Sequence, residues 1–271
     1  MKARPTWLPV TSMPELAADA ARLLDAQGVQ SAHVLGVSFG GMVAQELAIR
    51  FPERVRGLVL AGATPGGPRA VLPHLGELGA ILGQAFVELT REAPPWIGAL
   101  LFSPEFRRRH PDRVRELVPL FVRHLPPPWG LAAHWWASVY HDTVSRLDRI
   151  QAPTLVMHGG RDGMAPVGVA HLLAERIPDA ELVIVPGAGH AFALEAPEQT
   201  LGACLEWFER RSPIAPGEPR TGLGARAEPV LRPFGLPVGA LRTGQSLVGW
   251  GRDALRARGA RCRSPEESSG R

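Results

Sequence analysis

Ala32-His33-Val34-Leu35-Gly36-Val37-Ser38-Phe39-Gly40-Gly41-Met42-Val43 is the stretch on which the reading of this chain turns. Ala32 to Val37 is a short apolar run suited to a strand buried on both faces, and Met42, Val43, Leu47 and Ala48 then recur at helical spacing. Strand, tight turn and helix follow one another directly. Gly36-Val37-Ser38-Phe39-Gly40 matches G-x-S-x-G, with the serine at the junction. A sharp elbow there lifts the hydroxyl above the sheet, glycines two before and two after let neighbouring backbones close in, and the Phe39 N–H points where an oxyanion would form. A Gly-rich turn with a passive serine is written in the same letters, so the motif needs partners elsewhere in the chain.

Outward from this stretch, strands and helices alternate. Ser12-Met13-Pro14-Glu15 has capping-box spacing, with Leu16, Ala20, Leu23 and Leu24 following at helical intervals until Gly28. Pro52 closes the helix after the elbow, and Val55 to Ala61 is a buried strand that leads into the Gly/Pro-rich Thr64 to Pro68. Further on, Thr154 to His158 reads as a strand, Pro166 to Ile177 as a helix and Glu181 to Val185 as a strand. Pro197 to Arg210 is a last helix carrying Leu201, Leu205, Trp207 and Phe208. This order predicts an α/β fold, a mostly parallel sheet with helices on both faces, in which ligands sit at the carboxyl ends of the strands. Residues 69–147 have helical periodicity broken by Pro94-Pro95 and Pro126-Pro127-Pro128, and are expected to form a helical cap. The expected organisation is therefore core over 1–68, cap over 69–147, core again over 148–211, and a tail over 212–271.

A serine hydroxyl is a poor nucleophile until a positioned base takes its proton, so the elbow demands a histidine and a group to orient it. Of nine histidines, His190 follows the strand Glu181 to Val185 through Pro186-Gly187-Ala188-Gly189, at the end of the sheet where ligands sit. Asp162 follows the strand Thr154 to His158 after Gly159-Gly160-Arg161, again at a carboxyl end. Each has an ordinary alternative, a surface-loop histidine and a turn or N-cap aspartate. Gly62-Ala63-Thr64, after the Val55 to Ala61 strand, offers no carboxylate, so Asp162 is the candidate acid.

Composition narrows the function classes. The tail over 212–271 holds 10 Arg and 5 acids, which leaves the remaining residues nearly neutral despite a pI near 10.0. No basic stripe with interleaved aromatics runs through the body, so no nucleic-acid partner is expected. No apolar run approaches the length that spans a bilayer and Met1 to Val10 has no signal-peptide core, so stable membrane insertion is not expected and a cytoplasmic location is. Cys204 and Cys262 lie in dissimilar surroundings and do not suggest a disulfide framework. The tail, with 17 Gly or Pro in 60 residues, is expected to be disordered; Leu241, Leu247, Val248 and Leu255 could line a basic helix, but Gly244, Gly249 and Gly251 weaken it.

Gly36-Val37-Ser38-Phe39-Gly40-Gly41, Pro153-Thr154-Leu155-Val156-Met157-His158-Gly159-Gly160-Arg161-Asp162 and Pro186-Gly187-Ala188-Gly189-His190 together resemble the three catalytic segments of the α/β-hydrolase superfamily, in that family's order of Ser, Asp and His. The likeness runs from about Thr11 to Arg211, and within the superfamily the chain is similar to small esterases, enol-lactonases and cofactor-free relatives. It implies Ser38 as nucleophile, His190 as general base, Asp162 as triad acid, a cap over the pocket, a small-molecule substrate, no cofactor and no metal. The expected reaction is hydrolysis of a carboxylic ester, thioester or lactone; a carbon–carbon bond hydrolase, an acyltransferase or a catalytically silent binding protein are the alternatives on the same residues. Trp96, Phe102, Trp135 and Trp136 are candidate pocket residues for a lipophilic acyl or aromatic group, with cap packing as the other reading. The resemblance also implies four further strands and a helix ahead of Ser12, among them a loop supplying a second oxyanion donor, so the chain is expected to be N-terminally incomplete and weakly active.

Overall fold

The computed structural model describes residues 11–67, 95–123, 126 and 128–211. The expectations for 68–94 and for the tail over 212–271, including its basic helix, lie outside the described residues. The chain divides into two compact units between Pro197 and Glu198.

The first unit is built on a four-stranded, all-parallel sheet in the order β1 (Ala32–Val37), β2 (Val55–Ala61), β3 (Thr154–Gly159), β4 (Ala180–Val185). The ladders run Val37 against Ala61, Ala61 against Met157 and Gly159 against Val185, so the carboxyl ends of the strands share one edge. β2 and β3 are buried almost throughout, with Arg56 the exposed exception, as their mainly apolar runs predict. β1 departs from its expected burial on both faces. Among the described residues it pairs only with β2, and Leu35 and Val37 are each 55% exposed. A six-residue apolar run reads alike at the edge and at the centre of a sheet, so periodicity could not tell them apart.

Helices α1 (Met13–Ala26), α2 (Phe39–Arg50) and α7 (Gly168–Arg176) pack on one face of the sheet over Leu58, Leu60 and Val156. α1 starts as predicted: the Ser12 Oγ accepts from Glu15 N and the Glu15 carboxylate accepts from Ser12 N at 2.9 Å. Its buried line is Met13, Ala17 and Ala21, whereas Leu23 is exposed. Of the residues that the sequence pattern singles out, Leu16, Ala20 and Leu24 are half-buried and Leu23 alone faces solvent. Ala17 and Ala21 instead meet Ala44 and Ala48 in the core, where small side chains let helices approach closely.

Between β2 and β3 the described residues carry α3 (Pro95–Leu101), α4 (Pro104–Arg109), α5 (Pro111–Arg123) and α6 (Pro128–Val139). Ile97, Leu101, Phe102, Leu117, Val118 and Val122 form an apolar cluster separate from that of the sheet. Two polar ties bind the segment after α6 to α2. The Thr143 hydroxyl donates to Gln45 Oε1 at 2.6 Å, and the buried Glu46 accepts from Arg146 at 2.6 Å and from Arg50 at 2.9 Å. Burial opposes the charge on Glu46, but these guanidinium bonds prevail and hold its carboxyl below the usual range. The short helix α8 (Phe192–Glu195) follows β4.

In the second unit, α9 (Pro197–Arg211, of which Pro197 belongs to the first) has Thr200, Cys204 and Trp207 buried. Burial pushes the Cys204 thiol up to about 11. Among the described residues no helix is long and apolar enough to cross a membrane.

Candidate active site

The parallel ladder continues past the strand ends: Ser38 N donates to Ala61 O and Gly62 N to Met157 O, each at 2.8 Å. Residues leaving β1, β3 and β4 therefore emerge side by side. Ser38 is the one non-glycine with positive φ among the described residues, at φ 51° and ψ −117°. Such a conformation costs on the order of 1–3 kcal/mol and persists only where surrounding structure enforces it. Here Gly36 and Gly41 enforce it, because a Cβ on Gly36 would lie 2.6 Å from Gly40 O and one on Gly41 would collide with the Ala63 side chain. The motif reading assigned this role to Gly36 and Gly40. Gly40 has open space at its Cβ position, and it is Gly41 that meets the neighbouring strand end.

His190 and Asp162 converge on this elbow. The His190 Nε2 lies 2.9 Å from Ser38 Oγ and its Nδ1 lies 2.7 Å from Asp162 Oδ2. Asp162 has a fully buried side chain whose other oxygen, Oδ1, accepts from Met164 N at 2.8 Å and Ala165 N at 2.9 Å. Burial by itself would raise the Asp162 carboxyl; hydrogen bonds from His158 and His190, the nearby imidazole and the Ala165 amide outweigh it and hold the carboxyl well below the ordinary range. A carboxylate only accepts, so His190 Nδ1 carries the hydrogen and Nε2 is left as the acceptor for the Ser38 hydroxyl. The Phe39 N–H, at the first turn of α2, has no intrahelical acceptor.

Of the candidate pocket residues, Phe102 is buried in the separate apolar cluster and stacks on Phe106 at 5.3 Å. Trp96 lies on α3 and is 37% exposed. Trp135 and Trp136 lie on α6, the helix whose His134 ring stacks on Phe39 at 4.4 Å. That stack brings α6 against the residue that follows Ser38. The sequence reading placed His158, buried at the end of β3, only in the segment leading to Asp162, and it passed over Ser103, the N-cap of α4, and Glu195, in α8. Only His158 left a signal, a histidine inside an otherwise apolar buried strand four residues before the candidate acid. Among the described residues no group of three or more His, Cys, Asp or Glu is placed to hold a metal.

The model of the alpha/beta hydrolase fold matches residues 3–197. A protein of Azorhizobium caulinodans assigned as carbamate hydrolase RutD is 32% identical over 199 residues, covering 72% of this chain and 74% of that protein. The pimeloyl-[acyl-carrier protein] methyl ester esterase of Chromobacterium violaceum is 31% identical over 211 residues, with 74% and 80% of the two chains covered. A hydrolase from Pseudomonas aeruginosa, of known crystal structure, superposes with a TM-score of 0.62 at 30% identity, covering 76% of each chain.

Proposed function

This chain belongs to the α/β-hydrolase family and is an enzyme of that class, and on that premise we propose that it cleaves a carboxylic ester of a lipophilic small molecule through Ser38, His190 and Asp162. The observation that carries the proposal is the unbroken relay from Ser38 Oγ through His190 to Asp162, at 2.9 and 2.7 Å, on a serine held at φ 51°. In this reading Ser38 Oγ attacks the ester carbonyl as its proton passes to His190 Nε2, and Asp162 stabilises the imidazolium so formed. The negative charge on the tetrahedral intermediate meets the Phe39 N–H. His190 then returns the proton to the departing alcohol, and water, deprotonated by the same nitrogen, releases the acid and restores Ser38. The relatives named as a methyl ester esterase and a carbamate hydrolase support attack at a carbonyl that carries a heteroatom leaving group. Trp135 and Trp136 beside the Phe39–His134 stack support an apolar acyl or aromatic group under the cap.

Fluorophosphonate labelling tests the nucleophile directly, since the reagent modifies only an activated serine. The modified peptide is expected to contain Ser38; labelling at another serine, or none, overturns the assignment. With a short-chain aryl ester, Ser38→Ala and His190→Ala are each expected to lose about 10⁴-fold or more in kcat, and the double variant to be little worse, because the residues act as a unit.

A further inference from the structure

We infer that Glu195 is a positioning residue that locks the loop bearing His190 to the first turn of the cap helix α4, so that the orientation of the proposed base depends on where the cap sits. The inference rests on the assignment of His190 as base. Glu195 lies five residues beyond His190, yet its carboxylate reaches across the chain: Oε1 accepts from Gly189 N at 2.9 Å and from Ser103 N at 2.7 Å, while Oε2 accepts from Ser103 Oγ at 2.7 Å. The same Ser103 hydroxyl accepts from Phe106 N at 3.2 Å as the N-cap of α4. One carboxylate thus joins the residue before His190 to the start of a cap helix.

The residue after His190 is tied to the cap as well, because Ala191 N donates to Leu101 O at 2.7 Å. The amides on either side of His190 therefore both answer to the segment Leu101–Ser103. Space enforces the same link. A Cβ on Gly189 would lie 2.7 Å from Ser103 N and 2.9 Å from Glu195 Oε1, so only glycine lets the loop seat this closely. Asp162 fixes the far side of the imidazole ring through Nδ1, but it does not fix the backbone from which the ring hangs. Hydrogen bonds to a charged acceptor are stronger than neutral ones, and Ser103 and Gly189 are both buried, where an unmet amide is costly.

The test uses the full chain, a short-chain aryl ester and the fluorophosphonate. In Glu195→Ala both kcat and the rate of Ser38 labelling are expected to fall about 10²-fold with KM little changed, the size of effect that a displacement near 1 Å produces. Glu195→Gln keeps a carbonyl oxygen for the two amides and an NH2 for the Ser103 hydroxyl, so it is expected to recover to within about tenfold of the parent. Ser103→Ala, which removes the hydroxyl's bonds to Glu195 Oε2 and from Phe106 N but leaves the Ser103 N and Gly189 N links to Glu195, is expected to fall in between. A merely structural role would lower the melting temperature while leaving kcat and labelling rate unmoved well below it. Folded Glu195→Ala with both rates within about twofold of the parent overturns the inference; if that variant does not fold, Ser103→Ala with parental rates overturns it instead. Absence of Ser38 labelling in the parent chain would defeat the triad assignment itself, which is a separate result.

Discussion

His158 and His190 share one oxygen of Asp162. The Nε2 of His158 lies 3.2 Å from Oδ2 and the Nδ1 of His190 lies 2.7 Å from it. With Met164 N and Ala165 N on Oδ1, the buried carboxylate is met on every side by donors. His158 Nε2 also lies 3.0 Å from Ala165 O, so that nitrogen faces acceptors only and carries the ring hydrogen, while its Nδ1 is buried without a partner. Contacts other than that with His190 therefore also hold Asp162 in place, which lets His190 move a proton without its anchor shifting.

Asp162→Asn is expected to fold and to lose about 10⁴-fold in kcat. Its amide oxygen can still accept from Met164 N and Ala165 N, which preserves the turn. Its NH2 would face His190 Nδ1 and draw the ring into the tautomer with hydrogen on Nε2, which cannot take a proton from Ser38. Steady-state kinetics on an aryl ester beside a thermal melt checks both halves; a variant within about tenfold of the parent would mean that Asp162 does not set the tautomer.

His158→Phe keeps the ring volume and removes the donor from both Asp162 Oδ2 and Ala165 O. Asp162 Oδ2 keeps its bond from His190, but leaving the Ala165 carbonyl unmet costs about 1–3 kcal/mol, so a lowered urea midpoint is expected. With Asp162 less firmly held, kcat is expected to fall about tenfold, far less than for Asp162→Asn. Equal losses in the two variants would show that His158 does more than anchor the carboxylate.

Much of this was legible in the sequence, and the parts that were not share a cause. β2, β3 and β4 announced themselves as short, mainly apolar runs, although only β2 and β3 are buried almost throughout and β4 is mostly half-buried. Ser38, Asp162 and His190 could be chosen because each follows such a run, and parallel strands bring their carboxyl ends to one edge. The exposure of Leu35 and Val37 left no trace, since a strand's neighbours are not written in its own residues. Nor could Glu195 be found: its partner Ser103 lies 92 residues away, and a glutamate near a helix start has many ordinary explanations. The burial of Ala17 and Ala21 was missed because alanines recur on several faces of α1 and do not mark one, although alanine permits the closest helix contact.

Acid should destabilise the fold through Asp162 and Glu46. Both carboxyls are held below their ordinary range in the folded chain, so on acidification the unfolded chain takes up protons first. Their contribution is fully present above the ordinary carboxylate range near pH 4 and is lost as pH falls below it. Urea midpoints are expected to be flat from about pH 7 to 5 and to drop steeply below about pH 4. Glu46→Gln removes one of the two groups and weakens the tie to Arg146, so it is expected to be less stable at neutral pH and to show a shallower acid limb. An unchanged acid limb in that variant would remove Glu46 from the account.

The glycines of the elbow give the sharpest discrimination between motif and geometry. Gly36-Val37-Ser38-Phe39-Gly40-Gly41 contains three, and the letters do not rank them. A Cβ on Gly36 meets Gly40 O at 2.6 Å, Gly41 Cα at 2.7 Å and Ala44 Cβ at 2.8 Å, none of which can swing aside. A Cβ on Gly41 runs into Ala63, at the end of the neighbouring strand. Either alanine must push α2 off the sheet or pull Ser38 out of its strained conformation, at about 3 kcal/mol or more. For a fold of this size that is a melting temperature lower by about 10 °C, accompanied by loss of the Ser38–His190 contact and hence of activity. Gly40 stands in the first turn of α2 with nothing within 4 Å of its Cβ position. Alanine there adds no collision and favours the helix by up to about 1 kcal/mol, so Gly40→Ala is expected to melt no lower than the parent. Thermal melts of the three alanine variants decide the matter: if Gly40→Ala proved the most damaging, the elbow would have to be held in some way other than by the contacts of Gly36 and Gly41.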